Sequence, residues 1–453
     1  MAVEKNKPDL RIAVMSDVHI GFTGHINPNY YGLSQPGDQD KWWEYALRWF
    51  KDKGVDVVVV PGDMANACAY SRTDITSADC AAEEMIRCAR IFHEVFEGTD
   101  TELVCVYGNH DHLVQPWEKY NGGDKTPWED AFGEPYQPVF TRTIKGYSFI
   151  GVHWAKEKYA KEAVAEAVKK TPDKPVFYIQ HGQIKNTTCD TYGHCINGGV
   201  GMENIGEYEN VIAMFGHTHC PITDERTIWQ SADPSAPKCT VLSCSTMNYA
   251  DSTGDLVRGE NLQTKHALYM TVTGKEINIE RLSFWTDEML ALAKGEKTEQ
   301  NLQACTRSAG DDWHFTLGGE KVMDLATRTA KSKAPEFPAT AVAGLARSDK
   351  FVVVSFPAAI APEGSDILHS YYVEAWEEET NTLVSTGQIS TEFHIDRTSD
   401  HFSPYYQVVI PNLKPDTKYI FKVYARNCFQ KLSERPVIHR GKTLATPYEG
   451  RLR

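Results

Sequence analysis

The chain of 453 residues is 41% hydrophobic and 24% charged, the proportions of an ordinary globular protein, and its length allows two or three domains at roughly 150 residues each. A formal net charge of −14 speaks against a general nucleic-acid binder, which displays a basic footprint. It leaves room for a small phosphorylated substrate, because metal cations reverse the field locally.

The first element expected is a buried strand over 10–15, ending at Ser16-Asp17. A Gly-, Asn-, Pro- and Tyr-containing loop leads to a helix over 42–53, with Trp42, Ala46, Trp49 and Phe50 on one face and Gly54 as its stop. A second strand runs over 55–60 and is broken by Pro61-Gly62; a helix over 78–96 precedes a third strand over 102–107. This alternation implies parallel pairing with right-handed crossovers. Further strands are expected over 139–144, 147–153, 176–180, 211–215, 240–243, 267–272 and 277–283, with a helix over 156–170. The surplus of strands suggests two sheets packed between helices. From 286 to 336 the pattern turns polar and weakly periodic, as expected of a helical connecting region and linker. Strand-like runs over 352–356, 370–377, 383–389, 405–410 and 419–427, at sandwich-like spacing, follow over 337–445, and a tail closes 446–453.

The residues that carry chemistry stand directly after the predicted strands: Asp17-Val18-His19, Gly62-Asp63, Gly108-Asn109-His110-Asp111, His181-Gly182 and Gly216-His217-Thr218-His219. Open α/β sheets gather ligands beyond the carboxyl ends of their strands, so five segments converge. Carboxylates, imidazoles and an amide without thiolate suit manganese, iron, zinc or magnesium. Alternate residues of an extended segment share a face, which would aim Asp17 with His19 and His217 with His219. Glycines before Asp63, Asn109 and His217 permit sharp turns. His181 rests on a bare His-Gly, and its competitor His153, also at a strand end, could instead support a ligand from behind or touch substrate.

The ordered set Asp-x-His, Gly-Asp, Gly-Asn-His-Asp, His and Gly-His-Thr-His resembles the calcineurin-like metallophosphoesterase family from Ile12 to about Ser283, which places a catalytic domain over residues 1–285. The resemblance implies a two-sheet αββα sandwich of α/β (α+β) class and two divalent metal ions. By motif, Asp17, His19, Asp63 and His219 would hold one metal; Asp63, Asn109, His181 and His217 would hold the other, with Asp63 bridging. A hydroxide between the metals would attack phosphorus in line. His110 would assist the leaving group, and Asp111 would orient His110 from behind. Protein serine/threonine phosphatases of this superfamily carry an Arg soon after Gly-Asp, and purple acid phosphatases a Tyr; here the run is Met64-Ala65-Asn66-Ala67. These departures point toward the broad group of phosphodiesterases, nucleotide hydrolases and monoesterases.

The substrate pocket is less legible. Tyr30, Tyr31, Trp42 and Trp43, then Trp117, Tyr120, Trp128, Phe132 and Tyr136, could stack a nucleotide-like ring or simply pack loops. His112 and His153 are weak substrate-binding candidates. Cys189, His194 and Cys195 match no structural zinc spacing, and Cys220 follows His219 without need to bind metal. The stretch Leu413-Lys414-Pro415-Asp416-Thr417-Lys418-Tyr419, leading into a penultimate strand, resembles a fibronectin type III-like domain with a tyrosine corner at Tyr419. A polar N-terminus without an apolar signal core, and eleven cysteines in no repeating pattern, favour a cytoplasmic protein, or an exported one if a signal peptide has been removed. No segment reaches membrane-spanning length. The competing account is a non-catalytic metal-binding recognition or scaffold protein that uses its β-sandwich for partner contact.

Overall fold

The computed structural model describes residues 7–21, 38–66, 77–111, 126–188, 200–250, 264–286, 304–362, 366–395 and 402–447. The strands are β1 (Leu10–Val14), β2 (Val57–Val60), β3 (Glu102–Cys105), β4 (Val139–Ile144), β5 (Tyr147–Val152), β6 (Val176–Gln180), β7 (Val211–Phe215), β8 (Ile228–Trp229), β9 (Thr240–Ser243), β10 (His266–Thr273), β11 (Glu276–Thr286), β12 (Ala304–Ser308) and β13 (Trp313–Thr316). Helices α1 (Asp38–Asp52), α2 (Ser77–Val95), α3 (Pro127–Phe132) and α4 (Lys161–Lys170) lie between them.

One sheet has the order β12-β11-β10-β1-β2-β3, with β13 also on β11; the other runs β4-β5-β6-β7-β9-β8. Strands β1, β2 and β3 pair in parallel, as do β5, β6, β7 and β9. Period-two alternation decides which face each side chain joins. Leu10, Ile12 and Val14 turn into the core between the sheets with Phe149, Phe177, Ile179 and Met214. Ala13 and Met15 turn the other way, onto Trp43, Leu47 and Phe50 of α1 and Met85 of α2. On the far side Ile150, Val152 and Tyr178 meet Val164 and Ala167 of α4. Helix, sheet, sheet and helix are therefore stacked in that order, and the parallel strands present their carboxyl ends at one edge.

The span 286–336 differs from its expected helical character. Its described part adds β12 and β13 to the first sheet and contributes one short helix, Leu325–Lys331. The eleven-residue β11 offers backbone bonds along its whole length, enough to recruit both strands. In β13 the alternation of buried Trp313 and Phe315 with exposed His314 and Thr316 is real but only four residues long, too short to stand out against a polar background.

Beyond it, β14 (Gly344–Arg347), β15 (Val352–Pro357), β16 (Leu368–Glu377), β17 (Thr382–Ser390), β18 (Tyr405–Ile410), β19 (Lys418–Asn427) and β20 (Val437–Lys442) form two sheets, β14-β15-β18 and β17-β16-β19-β20. Val352, Val354, Tyr371, Val373, Phe421 and Val423 fill the core between them. The Lys414 backbone N–H donates to the hydroxyl of buried Tyr419 at 2.9 Å, pinning the turn to the strand it feeds.

Candidate metal centre

Asp17 and His19 follow β1, Asp63 follows β2, Asn109 and His110 follow β3, His181 follows β6, and His217 and His219 follow β7. The two sheets bring these ends together. Ligand atoms of Asp17, His19, Asp63 and His219 lie within 4.8 Å of one another, and so do those of Asp63, His181 and His217. That spread is close to what bonds of ~2.1 Å to a shared ion require. Asn109 joins the second group, its Oδ1 3.0 Å from His181 Nε2.

The local backbone is unusual. Asp17, His19, Asp63, His217 and His219 all have positive φ, between 49° and 68°, the left-handed region that L-residues seldom occupy. The aim of Asp17 with His19, and of His217 with His219, thus comes from left-handed turns and not from an extended run. Gly62, at φ 96°, is required twice over. Its backbone favours glycine, and a Cβ there would strike the His181 ring.

Tautomers are set by backbone carbonyls. His219 Nδ1–H donates to Tyr249 O at 2.8 Å and His181 Nδ1–H to Pro61 O at 2.7 Å. The Nε2 lone pairs are thereby turned inward, the arrangement that metal-binding histidines use. There His181 Nε2 faces Asp63 Oδ2 at 3.2 Å and Asn109 Oδ1 at 3.0 Å, and His219 Nε2 faces Asp17 Oδ1 at 3.0 Å and His19 Nε2 at 3.3 Å. At the three oxygen contacts acceptor faces acceptor, so a cation or proton belongs between them. Two divalent ions fit this donor set.

The electrostatics express the same demand. Burial alone would raise Asp17 and Asp63, but the imidazoles of His219 and His181 hold both carboxyls below the usual range. Burial would lower His181, yet Asp63 keeps it up at about 9 and Asp17 raises His219. Burial pushes His19 down to about 3, and burial with His181 pushes His217 to about 4. Asp63 is the shared residue. Its Oδ2 lies 3.2 Å from His181 and 3.8 Å from His19, while its Oδ1 accepts the His110 backbone N–H at 2.9 Å.

His110 stands at the rim, half-buried, its ring 4.7 Å from that of His19. Its Nδ1 bonds Asn66 O at 2.9 Å. Asp111 does not orient it. The Asp111 carboxylate is fully buried and accepts backbone N–H groups from Ala65 at 2.8 Å, Gly108 at 2.9 Å and Met64 at 3.2 Å. It splices the second and third motif loops together, because three orphan amides from two turns need one acceptor. Burial and Asp63 raise its pKa to about 6.

His153 is likewise not brought to the ligands. It accepts the Tyr107 N–H at 2.9 Å and lies among Tyr107, Trp128, Tyr136 and Phe140. Of the aromatic candidates, Trp43, Trp128, Phe132 and Tyr136 pack in the α1–α2 core, with Trp42 beside them. His112, Tyr30, Tyr31, Trp117, Tyr120, Cys189, His194 and Cys195 lie outside the described residues. Cys220 is buried. Two aromatic neighbours of the site carried no motif. The Tyr249 ring lies 4.3 Å from His219 and 5.7 Å from His19, and the Trp154 ring 5.2 Å from His217 and 5.6 Å from His181. Trp154 stands directly after His153 at the end of β5, a strand-end position that could have flagged it.

No helix among the described residues is long and apolar enough to cross a membrane. No curated protein sequence matches the chain significantly. Among solved structures, a dimetal phosphatase from Danio rerio is similar at 9% identity, covering 69% of this chain and 100% of its own, with a TM-score of 0.41. Purple acid phosphatase PPD1 from yellow lupin is similar at 14% identity, 61% and 52% coverage and a TM-score of 0.36. Vps29 from Chaetomium thermophilum stands at 10%, 69% and 99%, and 0.28. At these scores the likenesses decide nothing about the chain. The model of the calcineurin-like phosphoesterases matches residues 10–221, the segment that carries every motif of the site. Over that segment the chain is similar to the calcineurin-like phosphoesterases, and the two candidate metal-binding clusters are built from residues within it.

Proposed function

We propose that the protein hydrolyses a phosphomonoester or phosphodiester at a dinuclear centre held by Asp17, His19, Asp63, Asn109, His181, His217 and His219. The observation that carries this reading is the Asp63 carboxylate, shared by two clusters whose imidazole nitrogens and carboxylate oxygens each lie within 4.8 Å of one another. Bound divalent ions supply a nucleophilic water at neutral pH and neutralise charge growing on the phosphoryl oxygens. Asp17 accepts the His217 N–H at 3.1 Å and so fixes the Gly-His-Thr-His turn while also facing His219. Asn66 O accepts from His110 Nδ1–H and so fixes the ring; a second proton carried on Nε2 would pass to the departing alkoxide and return the ring to its neutral form. Tyr249 and Trp154 flank the two clusters and limit how a substrate can approach.

The test strips the protein with chelator, restores manganese, iron, zinc or magnesium in turn, and assays a chromogenic phosphodiester beside a monoester, with Asp63→Asn as control. Hydrolysis restored by metal and missing in the variant is the expected result, and the ester preference narrows the class. Bound metal without hydrolysis of either ester would favour the scaffold reading.

A further inference from the structure

The eight residues after the Gly-His-Thr-His motif, Cys220-Pro221-Ile222-Thr223-Asp224-Glu225-Arg226-Thr227, form a loop of unusual character. All are buried except half-buried Glu225, although three of them carry charge. A connecting loop normally runs over the surface, and charges leave water only where partners replace it. Asp224 and Arg226 satisfy each other, with Nη2 to Oδ2 at 2.7 Å and Nε to Oδ1 at 3.0 Å.

Part of the cover comes from the first sheet. Arg281 of β11 donates to Ile222 O at 3.0 Å and pairs with Glu225 at 2.9 Å. The rest comes from the C-terminal half. The imidazole of His369, fully buried on β16, stands 3.7 Å from Asp224 Oδ2. Arg328 donates to Glu225 O at 2.6 Å and Ile228 O at 2.7 Å while its guanidinium lies 5.8 Å from the Phe429 ring. Ile367, Phe393, Cys428 and Phe429 form an apolar floor that Leu325 joins to the core behind the second sheet.

A second joint lies at His266, at the start of β10. Its Nδ1 is 3.4 Å from the Ile222 N–H and 3.2 Å from Ser245 Oγ, and its Nε2 is 3.4 Å from Ile395 O. Since Ile222 N can only donate, Nδ1 accepts and Nε2–H points to Ile395. The Ser283 hydroxyl donates to the same carbonyl at 2.8 Å. Ser245 opens the loop that continues through Thr246, which donates to Asp17 O at 3.2 Å, to Tyr249, the carbonyl partner of His219.

We propose that the C-terminal sandwich is a positioning element of the metal centre. Through His369, Ile395 and Phe429 it presses the 220–228 loop and the Ser245–Tyr249 loop into place, and with them the strained backbone of His217 and His219. The inference rests on reading those histidines as metal ligands. Left-handed backbone at a non-glycine residue persists only where its surroundings over-determine it. A module merely tethered for partner contact would meet its neighbour across a smaller, wetter interface without fully buried histidine and aspartate.

The experiment titrates the chelator-stripped full chain with manganese(II), following bound and free ion, and records thermal unfolding of each variant. His369→Ala should weaken manganese binding tenfold or more while the chain still melts cooperatively. His369→Gln, which keeps a polar group of similar reach, should recover most of that affinity. If His369→Ala does not fold, Ser283→Ala takes its place, with a loss of threefold or more. Val373→Ala, deep in the sandwich core and away from the joint, gives the comparison. It should lower the melting temperature and leave manganese affinity at the wild-type value. Wild-type affinity in His369→Ala, or in Ser283→Ala where that variant stands in, overturns the proposal. So does an equal affinity loss in Val373→Ala at the same melting temperature. Because the readout is metal affinity, a wild-type chain that binds manganese yet hydrolyses no phosphoester would sink the phosphoesterase reading alone.

Discussion

Gly216→Ala tests the centre through space and not through chemistry. Gly216 begins the Gly-His-Thr-His turn directly after β7, and its φ is not in the left-handed region, so alanine brings no backbone strain of its own. A Cβ there would meet Asp17 Oδ2 and Ser16 Oγ inside the 3.0 Å that real Cβ contacts respect, with Pro61 O at 3.1 Å closing the third side. The Ser16 hydroxyl can rotate away. The Asp17 carboxylate cannot, because it is fully buried and bonded to the His217 N–H at 3.1 Å. It must retreat by more than half an ångström, against a tolerance of about 0.2 Å in metal–ligand distance. Misplacement on the order of 1 Å costs about 10²-fold in rate, or about 2.7 kcal/mol of transition-state stabilisation. The variant should therefore purify with less than its full metal complement, measured by elemental analysis, and show kcat/KM reduced about a hundredfold at saturating metal. Full metal content with unchanged kcat/KM would mean that Asp17 is not a ligand in this geometry.

His110→Ala should lower turnover by about 10²- to 10⁴-fold and leave metal content unchanged; equal loss of both would show that His110 supports the ions and not the leaving group. Tyr419→Phe leaves the Lys414 N–H without its acceptor and should cost about 1 kcal/mol, read as a lower urea midpoint, with kcat unaltered. Burial holds His153 at about 3, below its usual value; as pH falls below about 6.5 the unfolded chain takes a proton that the folded chain refuses. That stability is complete above pH 6.5 and drains away toward pH 3. His153→Gln should flatten the fall in unfolding free energy between pH 6 and 4 by up to about 1.4 kcal/mol per pH unit, and parallel curves for variant and wild type would contradict the buried neutral imidazole.

Much of the centre was legible because parallel strands end on one edge, so motifs at strand ends share an address whatever separates them in sequence. Asp17 and His219 are two hundred residues apart yet 3.0 Å apart in space. What pattern could not supply was the role of groups that act through backbone. Asp111 sits beside His110 in sequence and looks like its partner. It binds amides of Met64, Ala65 and Gly108 instead, since a buried carboxylate meets whichever donors the loops leave unpaired. Tyr249 lacked any motif because its carbonyl, common to every residue, sets the His219 tautomer. The strands β12 and β13 were hidden for a different reason, as their pairing depends on the length of β11 and not on strong periodicity of their own.

The left-handed backbone ties these observations together. Five of the seven proposed ligands share it, while Asn109 and His181 do not. Each such turn stores strain that the apparent reward, contact between like-charged or lone-pair-bearing groups, cannot offset. Burial makes matters worse, since Asp17, His19, Asp63 and His181 are all sealed from water. A fold that gathers acceptors at 3.0–3.3 Å in a dry pocket on strained turns is stable only if something outside the pocket holds the turns, or something inside neutralises the acceptors. The Asp111 splice, the Gly62 turn under His181 and the buried 220–228 loop provide the first. Divalent cations would provide the second, and chelation of a metal-loaded chain should then loosen the motif loops before it disturbs either sheet.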